Sequence, residues 1–362
     1  MKKNFKQLSA QDISVLFEQL GLPSYRSKQV IQWIYKKLAC SFDDMSNLPK
    51  QLRITLNKIA SISNLKLVTR QLSQDGTEKF LFQLDDGEYV ESVLIPNSTG
   101  NERYTLCISS QVGCSLACKF CSTGKLGLKR HLLNHEIVDQ IMAVKRLISS
   151  ENTEDHKISN IVFMGMGEPL NNLDEVIQAL WKITGLMGYS KLRVTVSTAG
   201  IVPRIYELAK KGPAVNLAIS LNATTDEIRN RIMPVNKKYP LKTLIQACKD
   251  YPLQSRRLIT FEYILLDGIN ASITDAHQLV SLLHGIRAKI NLIPYNPPKS
   301  ETDGNANSLK SPDDDKILEF QNVLKKSGIT TLIRKSMGAD INAACGQLKA
   351  AYLDKNNAVS SS

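Results

Sequence analysis

The sequence predicts an α/β protein: an incomplete parallel (βα)6 barrel preceded by a small helical module and a short antiparallel β extension. Three observations carry that expectation. Apolar residues recur with helical spacing up to about residue 60, the period drops to two between residues 65 and 110, and short apolar runs then alternate with amphipathic ones over about 230 residues. A flat doubly wound sheet would leave the same pattern and stays open at this level. With 362 residues, 43% of them hydrophobic, the chain can bury a large core, which excludes collagen-like, coiled-coil and disordered classes. No apolar run approaches the ~18 residues of a spanning helix, and the polar opening MKKNFKQLSAQD lacks a secretory apolar segment, so a cytoplasmic protein without a membrane partner is expected. The net charge of +12 suits a polyanionic partner and equally suits simple solubility.

The elements follow in order. Ser9 with Asp12 three residues on predicts a capped helix whose apolar face is Ile13, Leu16, Phe17 and Leu20. Gly21-Leu22-Pro23 stops it, a second helix carries Val30, Ile31, Trp33 and Ile34 beside Arg26, Lys28, Lys36 and Lys37, and Asn47-Leu48-Pro49 precedes a third. The runs LKLVTRQL, EKFLFQL and YVESVLIP, with turns at Asp75-Gly76 and Asp86-Gly87, read as antiparallel strands. TLCISSQVGC, NIVFMGMGEPL, LRVTVSTAG, VNLAISLNA, RLITFEYILL and KINLIPYN then supply six strands of βα units. A polar stretch from Asn296 to Asp315 reads as a long loop, a helix starts near Ser311-Pro312, and NNAVSSS forms a tail. The expected divisions are residues 1–60 (a helical module whose basic face suits RNA or solvent equally), 61–99 (β extension), 100–348 (the βα core) and 349–362 (tail).

Seven cysteines are too few and too clustered for a disulfide scaffold. Cys114, Cys118 and Cys121 stand three and then two residues apart in the loop after a predicted strand. Structural zinc would want four ligands, and no second thiol or histidine pair lies downstream to complete such a set. Three soft thiolates in one tight loop suit an iron–sulfur cluster with one iron open to an exogenous group. The spacing, with Phe120 before the last cysteine, resembles the signature of the radical S-adenosylmethionine (SAM) superfamily, which implies a [4Fe-4S] cluster held by Cys114, Cys118 and Cys121 and SAM chelated to its open iron. Met164-Gly165-Met166-Gly167-Glu168-Pro169, at the end of the next strand, resembles the superfamily's methionine-amine strand and so assigns Gly167 and Glu168 to the cofactor. Ser197, then Ser220, Leu221 and Asn222, and finally Asn296 also end strands on the same face, and together make a ligand cup.

Two further cysteines narrow the resemblance. Cys107 lies seven residues before the thiol loop and Cys345 lies in INAACGQL, whereas Cys40 and Cys248 read as inert small hydrophobes. INAACGQL, CISSQVGCSLACKFCSTGKLG and FMGMGEPL, with GLPSYRSKQVIQWIY near the start, closely resemble the RlmN family, which methylates C2 of an adenine in 23S ribosomal RNA and in transfer RNA. The likeness runs from about Gln19 to Leu348. It implies two SAM molecules per turnover, one methylating Cys345 to S-methylcysteine and one generating a 5′-deoxyadenosyl radical that takes hydrogen from that methyl group. The carbon radical adds to C2, joining protein to RNA. Glu91 matches the family's proton acceptor, and Cys107 matches the thiol that attacks Cys345, frees the RNA and leaves a transient disulfide. A monomer drawing on an external electron donor is the expected form. Asn222 stands where many relatives have His, and His131 where they often have Asn. Lys119, Lys125, Lys129, Arg130 and His131 around the thiol loop are candidates for an RNA entry path or a solvated loop, with neither favoured. Two alternatives remain at this level: a related adenine-C8 methyltransferase, and a zinc-stabilised RNA-binding protein without catalysis.

Overall fold

The computed structural model describes residues 2–97, 103–150, 157–297, 309–334 and 337–343. Strand β1 (Lys3–Asn4) leads into helices α1 (Ala10–Gln19), α2 (Ser24–Tyr35) and α3 (Lys50–Ile59), after which β2 (Ala60–Ser61) pairs parallel with β1. The capping box is present: the Asp12 amide donates to Ser9 Oγ at 3.1 Å, and the Ser9 amide donates back to the Asp12 carboxylate at 3.0 Å. Phe5, Ile13, Phe17, Val30, Ile34 and Phe42 are buried together, with Phe5 edge-on to Phe42 at 5.1 Å.

Strands β3 (Lys66–Leu72), β4 (Glu78–Gln83), β5 (Tyr89–Pro96) and β6 (Arg103–Cys107) form an antiparallel run, as the period-two stretches predict. The chain then makes β7 (Gln111–Gly113), α4 (Ser122–Lys125) and β8 (Leu128–His131), with β7 and β8 paired to each other, before α5 (Asn134–Ser150). The alternation follows: β9 (Lys157–Phe163), α6 (Leu173–Trp181), β10 (Val194–Thr198), α7 (Val202–Lys211), β11 (Asn216–Ser220), α8 (Asp226–Ile232), α9 (Leu241–Asp250), β12 (Ile259–Leu265), α10 (Ile273–Leu282), β13 (Ala288–Pro294), α11 (Asp314–Lys326) and β14 (Thr330–Ile333). Helix α11 is capped by Asp313, whose side chain accepts from the Lys316 amide.

All of these strands except β1, β2, β7 and β8 form one sheet of ten, in the order β14-β13-β12-β11-β10-β9-β6-β5-β4-β3. Pairing is parallel from β6 through β14 and antiparallel from β6 to β3. The six βα units are those expected, and β14 adds a further parallel strand. Its run TTLI is only four residues, of which one is buried, so it carries no readable period.

The helical module is not a separate body. The Lys6 ammonium ion-pairs with Asp139 of α5 and donates to the Ser63 carbonyl at 2.5 Å, with both charged side chains fully buried. Lys182 donates to the Lys6 carbonyl at 2.5 Å, and a single cluster of buried apolar residues runs from Phe5 to Leu324.

The sheet has two distinct faces. Ser92 Oγ donates to Gln140 Oε1 of α5 at 2.9 Å, so the even positions of β5 face the helices. Glu91 and Val93 therefore face the concave side. Across that side one register row reads Lys79, Val93, Cys107, Val162, Thr195 and Asn216.

Candidate active site

The thiol loop is built by backbone constraint. Gly113 has φ +78°, and a Cβ there would lie 1.9 Å from the Gly127 carbonyl oxygen, so only glycine lets β7 and β8 close. The Cys114 amide donates to that same carbonyl at 2.9 Å, the Cys121 amide to Cys118 O at 3.1 Å, and the Lys119 amide to Ile232 O at the end of α8 at 3.0 Å. Cys114 is buried, and Cys118 and Cys121 are half-buried.

Burial pushes the Cys114 thiol up to about 12 and raises Cys118 too, with the neighbouring thiols and Glu168 adding to the effect. Such a pocket favours neutral thiols until a cation arrives to bind them as thiolates, which is the donor set an iron–sulfur cluster uses. Three thiolates around a cubane sit farther apart than around a single ion. The donor chemistry and loop position fit the cluster.

Glu168 lies at the carboxyl end of β9, close enough for its charge to act on Cys114 and Cys118. The MGMG run reaches it by lying against the chain itself. A Cβ on Gly165 would meet Ser109 Oγ at 2.7 Å, and one on Gly167, at φ +98°, would meet Gln111 Cβ at 2.5 Å. The absence of side chains at these glycines lets the MGMG loop pack closely on Ile108–Gln111. The Glu168 carboxylate accepts from the Leu170 amide at 3.0 Å and the Ala199 amide at 2.8 Å. Burial raises its pKa while those amides and the Thr198 hydroxyl pull it back. A carboxylate offers about four lone-pair sites, so acceptor capacity remains for an ammonium.

The other predicted cup residues meet at the same edge. Ser197 is buried at the end of β10 and Ser220 half-buried at the end of β11. Leu221 is buried, with its amide on Glu262 O at 3.0 Å. Asn222, in the left-handed region at φ +58°, spends its side chain inside the protein: Oδ1 accepts from the Ile264 amide at 2.9 Å and Nδ2 donates to Met233 Sδ at 3.2 Å. Asn296 is half-buried just beyond β13.

Sequence reasoning missed the residue that organises this edge. Arg229, fully buried on α8, donates to the carbonyls of Ala199 (2.6 Å), Ser220 (3.1 Å) and Leu221 (2.9 Å) and to Asn236 Oδ1 (2.9 Å). It ties the ends of β10 and β11 together and presents its charge to Cys118; burial lowers its pKa to about 10. Also missed were Glu262 and Asn291, buried on the concave face and joined at 2.8 Å. Their signal was available: acid and amide inside apolar strands, in ITFEYIL and KINLIP.

At the other side of the cup, Cys107 is buried at the end of β6 and Glu91 is buried on β5, two residues from Val93, Cys107's partner. Cys345 lies outside the described residues. Of the basic residues by the thiol loop, Lys129 pairs with Glu88 at 2.9 Å, Arg130 forks onto Glu136 at 2.8 Å on each arm and reaches Asp86, and His131 Nδ1 is 2.9 Å from Gln111 Nε2. Lys119 is exposed.

Parallel strands with a three-thiol loop after the first of them and a glycine-rich acidic turn after the second define the radical SAM class. Residues 108–280 match the Radical SAM superfamily model, and residues 3–62 match the ribosomal RNA large subunit methyltransferase N-terminal domain. The chain is 50% identical to the dual-specificity RNA methyltransferase RlmN of Geobacter sulfurreducens, over 96% of its own length and 92% of that protein's, and 47% identical to that of Syntrophotalea carbinolica, over 96% and 89%. A crystal structure of a radical SAM methyltransferase from Sphaerobacter thermophilus superposes with a TM-score of 0.87 at 38% identity, over 96% of this chain and 99% of that one. The chain belongs to the RlmN family of dual-specificity RNA methyltransferases. Its cofactors are accordingly a [4Fe-4S] cluster and SAM. No helix among the described residues is long and apolar enough to cross a membrane.

Proposed function

We propose that this chain methylates C2 of an adenosine in 23S ribosomal RNA and of one in transfer RNA, through a methylated cysteine and a transient protein–RNA bond. One observation supports the reading: Cys107 ends β6 beside β5, which carries the buried Glu91, and the thiol loop that follows β6 and β7 lies within electrostatic reach of Glu168. Adenine C2 is an electron-poor carbon between two ring nitrogens and cannot displace a methyl group as a thiolate would, so polar transfer to it fails. When bound, the cluster and SAM supply the one-electron chemistry this position requires.

The residues divide the work. Cys114, Cys118 and Cys121 would hold the cluster, Gly167 and Glu168 would receive the methionine amine, and Ser197, Ser220, Leu221, Asn222 and Asn296 would line the cofactor, with Asn222 contributing backbone since its amide is spent internally. Cys345 accepts the methyl group, because a thiolate is a competent nucleophile. Glu91 takes the C2 proton after the adduct forms, as the adduct gives up its unpaired electron to the redox centre that supplied the starting one. The Cys107 thiolate then attacks the Cys345 sulfur, the carbon–sulfur bond to RNA breaks with its electron pair staying on the carbon, that carbon takes up a proton to become the methyl group, and the resulting disulfide must be reduced before the next turnover. The target base must be splayed into the cup for these distances to be met. Residues 1–60 grip RNA shape, residues 61–99 extend the sheet, and residues 100–348 do the chemistry, in a cytoplasmic monomer fed by an external electron donor.

Nucleoside mass spectrometry tests this. Anaerobically reconstituted protein with SAM, reductant and ribosomal or transfer RNA should yield 2-methyladenosine. Appearance of 8-methyladenosine instead would move the chain to the related C8 activity, and colourless protein with stoichiometric zinc would remove it from catalysis.

A further inference from the structure

Lys79 is a buried lysine that no step above uses. It sits on β4, on the concave face, in the register row of Val93 and Cys107. Its ammonium donates to the carbonyl of Ile341 and, at 2.9 Å, to that of Asn342. Asn342 is three residues before Cys345 in the sequence. The same segment is fastened at the β3–β4 turn: the Gly338 amide donates to Asp75 Oδ2 at 2.7 Å, Ser73 Oγ donates to Asp340 Oδ1 at 2.5 Å, and the Gln74 amide to Asp340 Oδ2 at 3.2 Å. Gly338, at φ +68°, leaves no room for a Cβ, which would lie 2.5 Å from Ala343 Cβ and 3.0 Å from Thr77 Cγ2.

We propose that Lys79 is a positioning residue for methyl transfer, holding the Ile341 and Asn342 carbonyls while its charge keeps the neighbouring Glu91 carboxylate ionised as proton acceptor. This rests on the roles given above to Glu91 and Cys345 and deepens them. Glu91 is opposite Leu81, so Lys79 and Glu91 are diagonal neighbours on adjacent antiparallel strands, within reach for a long side chain. Among the described residues the titratable groups on this part of the face are Lys79 from β4, Tyr89 and Glu91 from β5 and Cys107 from β6; the terminal segment contributes carbonyls, and its Asp340 is turned to Ser73 and Gln74. Burial lowers the Lys79 pKa to about 8 against the pull of Glu91, which leaves it charged at neutral pH. A buried carboxylate without a cation beside it gains a proton and ceases to be a base. A lysine here therefore does two things that an apolar residue of equal length would not.

The test compares Lys79→Met, Lys79→Gln and Lys79→Arg with the wild type in the reconstituted full-length enzyme, measuring 2-methyladenosine formation against pH. Lys79→Met should lower kcat at least about tenfold, move the acid limb of the pH profile up by about one unit, and accumulate protein–RNA adduct because the C2 proton is not removed. Lys79→Gln keeps a donor for the carbonyls and should move the limb with a smaller loss of rate. Lys79→Arg should restore the limb. An unmoved limb in both neutral variants overturns the proposal, whether or not rate is lost, and Lys79→Gln answers the question if Lys79→Met does not fold. Wild-type protein that makes no 2-methyladenosine would overturn the proposed function, a result distinguishable from failure of the Lys79 variants alone.

Discussion

The two halves of the ten-stranded sheet carry chemistry in different ways. In the parallel half, from β6 to β14, the assigned residues stand at or beyond strand ends: the thiol loop follows β6 and β7, Glu168 follows β9, Ser197 and Ser220 lie at the carboxyl ends of β10 and β11, and Asn296 follows β13. In the antiparallel half they lie within strands: Lys79 on β4 and Glu91 on β5, both on the concave face. Parallel strands all point the same way, so their carboxyl ends gather at one edge where loops can converge. Antiparallel strands deliver no such edge, and a side chain reaches the cup there only by facing it from the sheet. The difference teaches that the residues proposed from the β extension depend on strand register, whereas those of the parallel half depend on where strands end.

The comparison breaks or sharpens under substitution. The largest effect belongs to the parallel half: Cys118→Ala should abolish 5′-deoxyadenosine release and strip iron and sulfide from anaerobically purified protein, read by iron assay and absorbance. On the antiparallel side, Glu91→Gln should leave the cluster intact, halt 2-methyladenosine formation and let protein–RNA adduct build up on denaturing gels. Cys107→Ala, at the end of β6 where the two halves meet, should trap adduct as well, and full turnover by Glu91→Gln would reduce the antiparallel half to scaffold. Between the sheet and the helical module, Asp139→Ala strands the buried Lys6 ammonium and should cost about 3–5 kcal/mol, seen as a lowered melting temperature. A Lys6→Met/Asp139→Leu pair should recover most of it. Gly167→Ala forces a Cβ onto Gln111 at positive φ and should cost about 1–3 kcal/mol with loss of SAM affinity, measured by equilibrium dialysis. The smallest effect is at the surface: Lys28→Glu with Lys37→Glu, both exposed on or just past α2, should weaken RNA binding and lower its salt slope by about 2 with activity on short RNA retained.

The same contrast explains what could be read from sequence. Strand-end residues sit in short contiguous strings, so the thiol spacing and MGMGEP were legible without coordinates. The capping box at Ser9 and the turns at Gly76 and Gly87, both with positive φ, were legible for the same local reason. Arg229 was not: on an amphipathic helix of alternating charges, nothing local distinguishes an arginine that points inward to three carbonyls from one in solvent. Lys79 was hidden in a similar way, since its partners are about 260 residues away in the chain. The close packing of Gly165 and Gly167 was also hidden, because the surface they approach belongs to a distant stretch of chain, Ile108–Gln111. Lys129 and Arg130, which the sequence left open between an RNA path and a solvated loop, are paired with Glu88, Asp86 and Glu136.

The most direct measurement follows deuterium from SAM bearing a fully deuterated methyl group. Hydrogen abstraction from the S-methyl of Cys345 predicts a new C2 methyl retaining two deuteriums, with the third found in 5′-deoxyadenosine. An RNA methyl group carrying all three, with none in 5′-deoxyadenosine, would mean intact transfer and contradict the account.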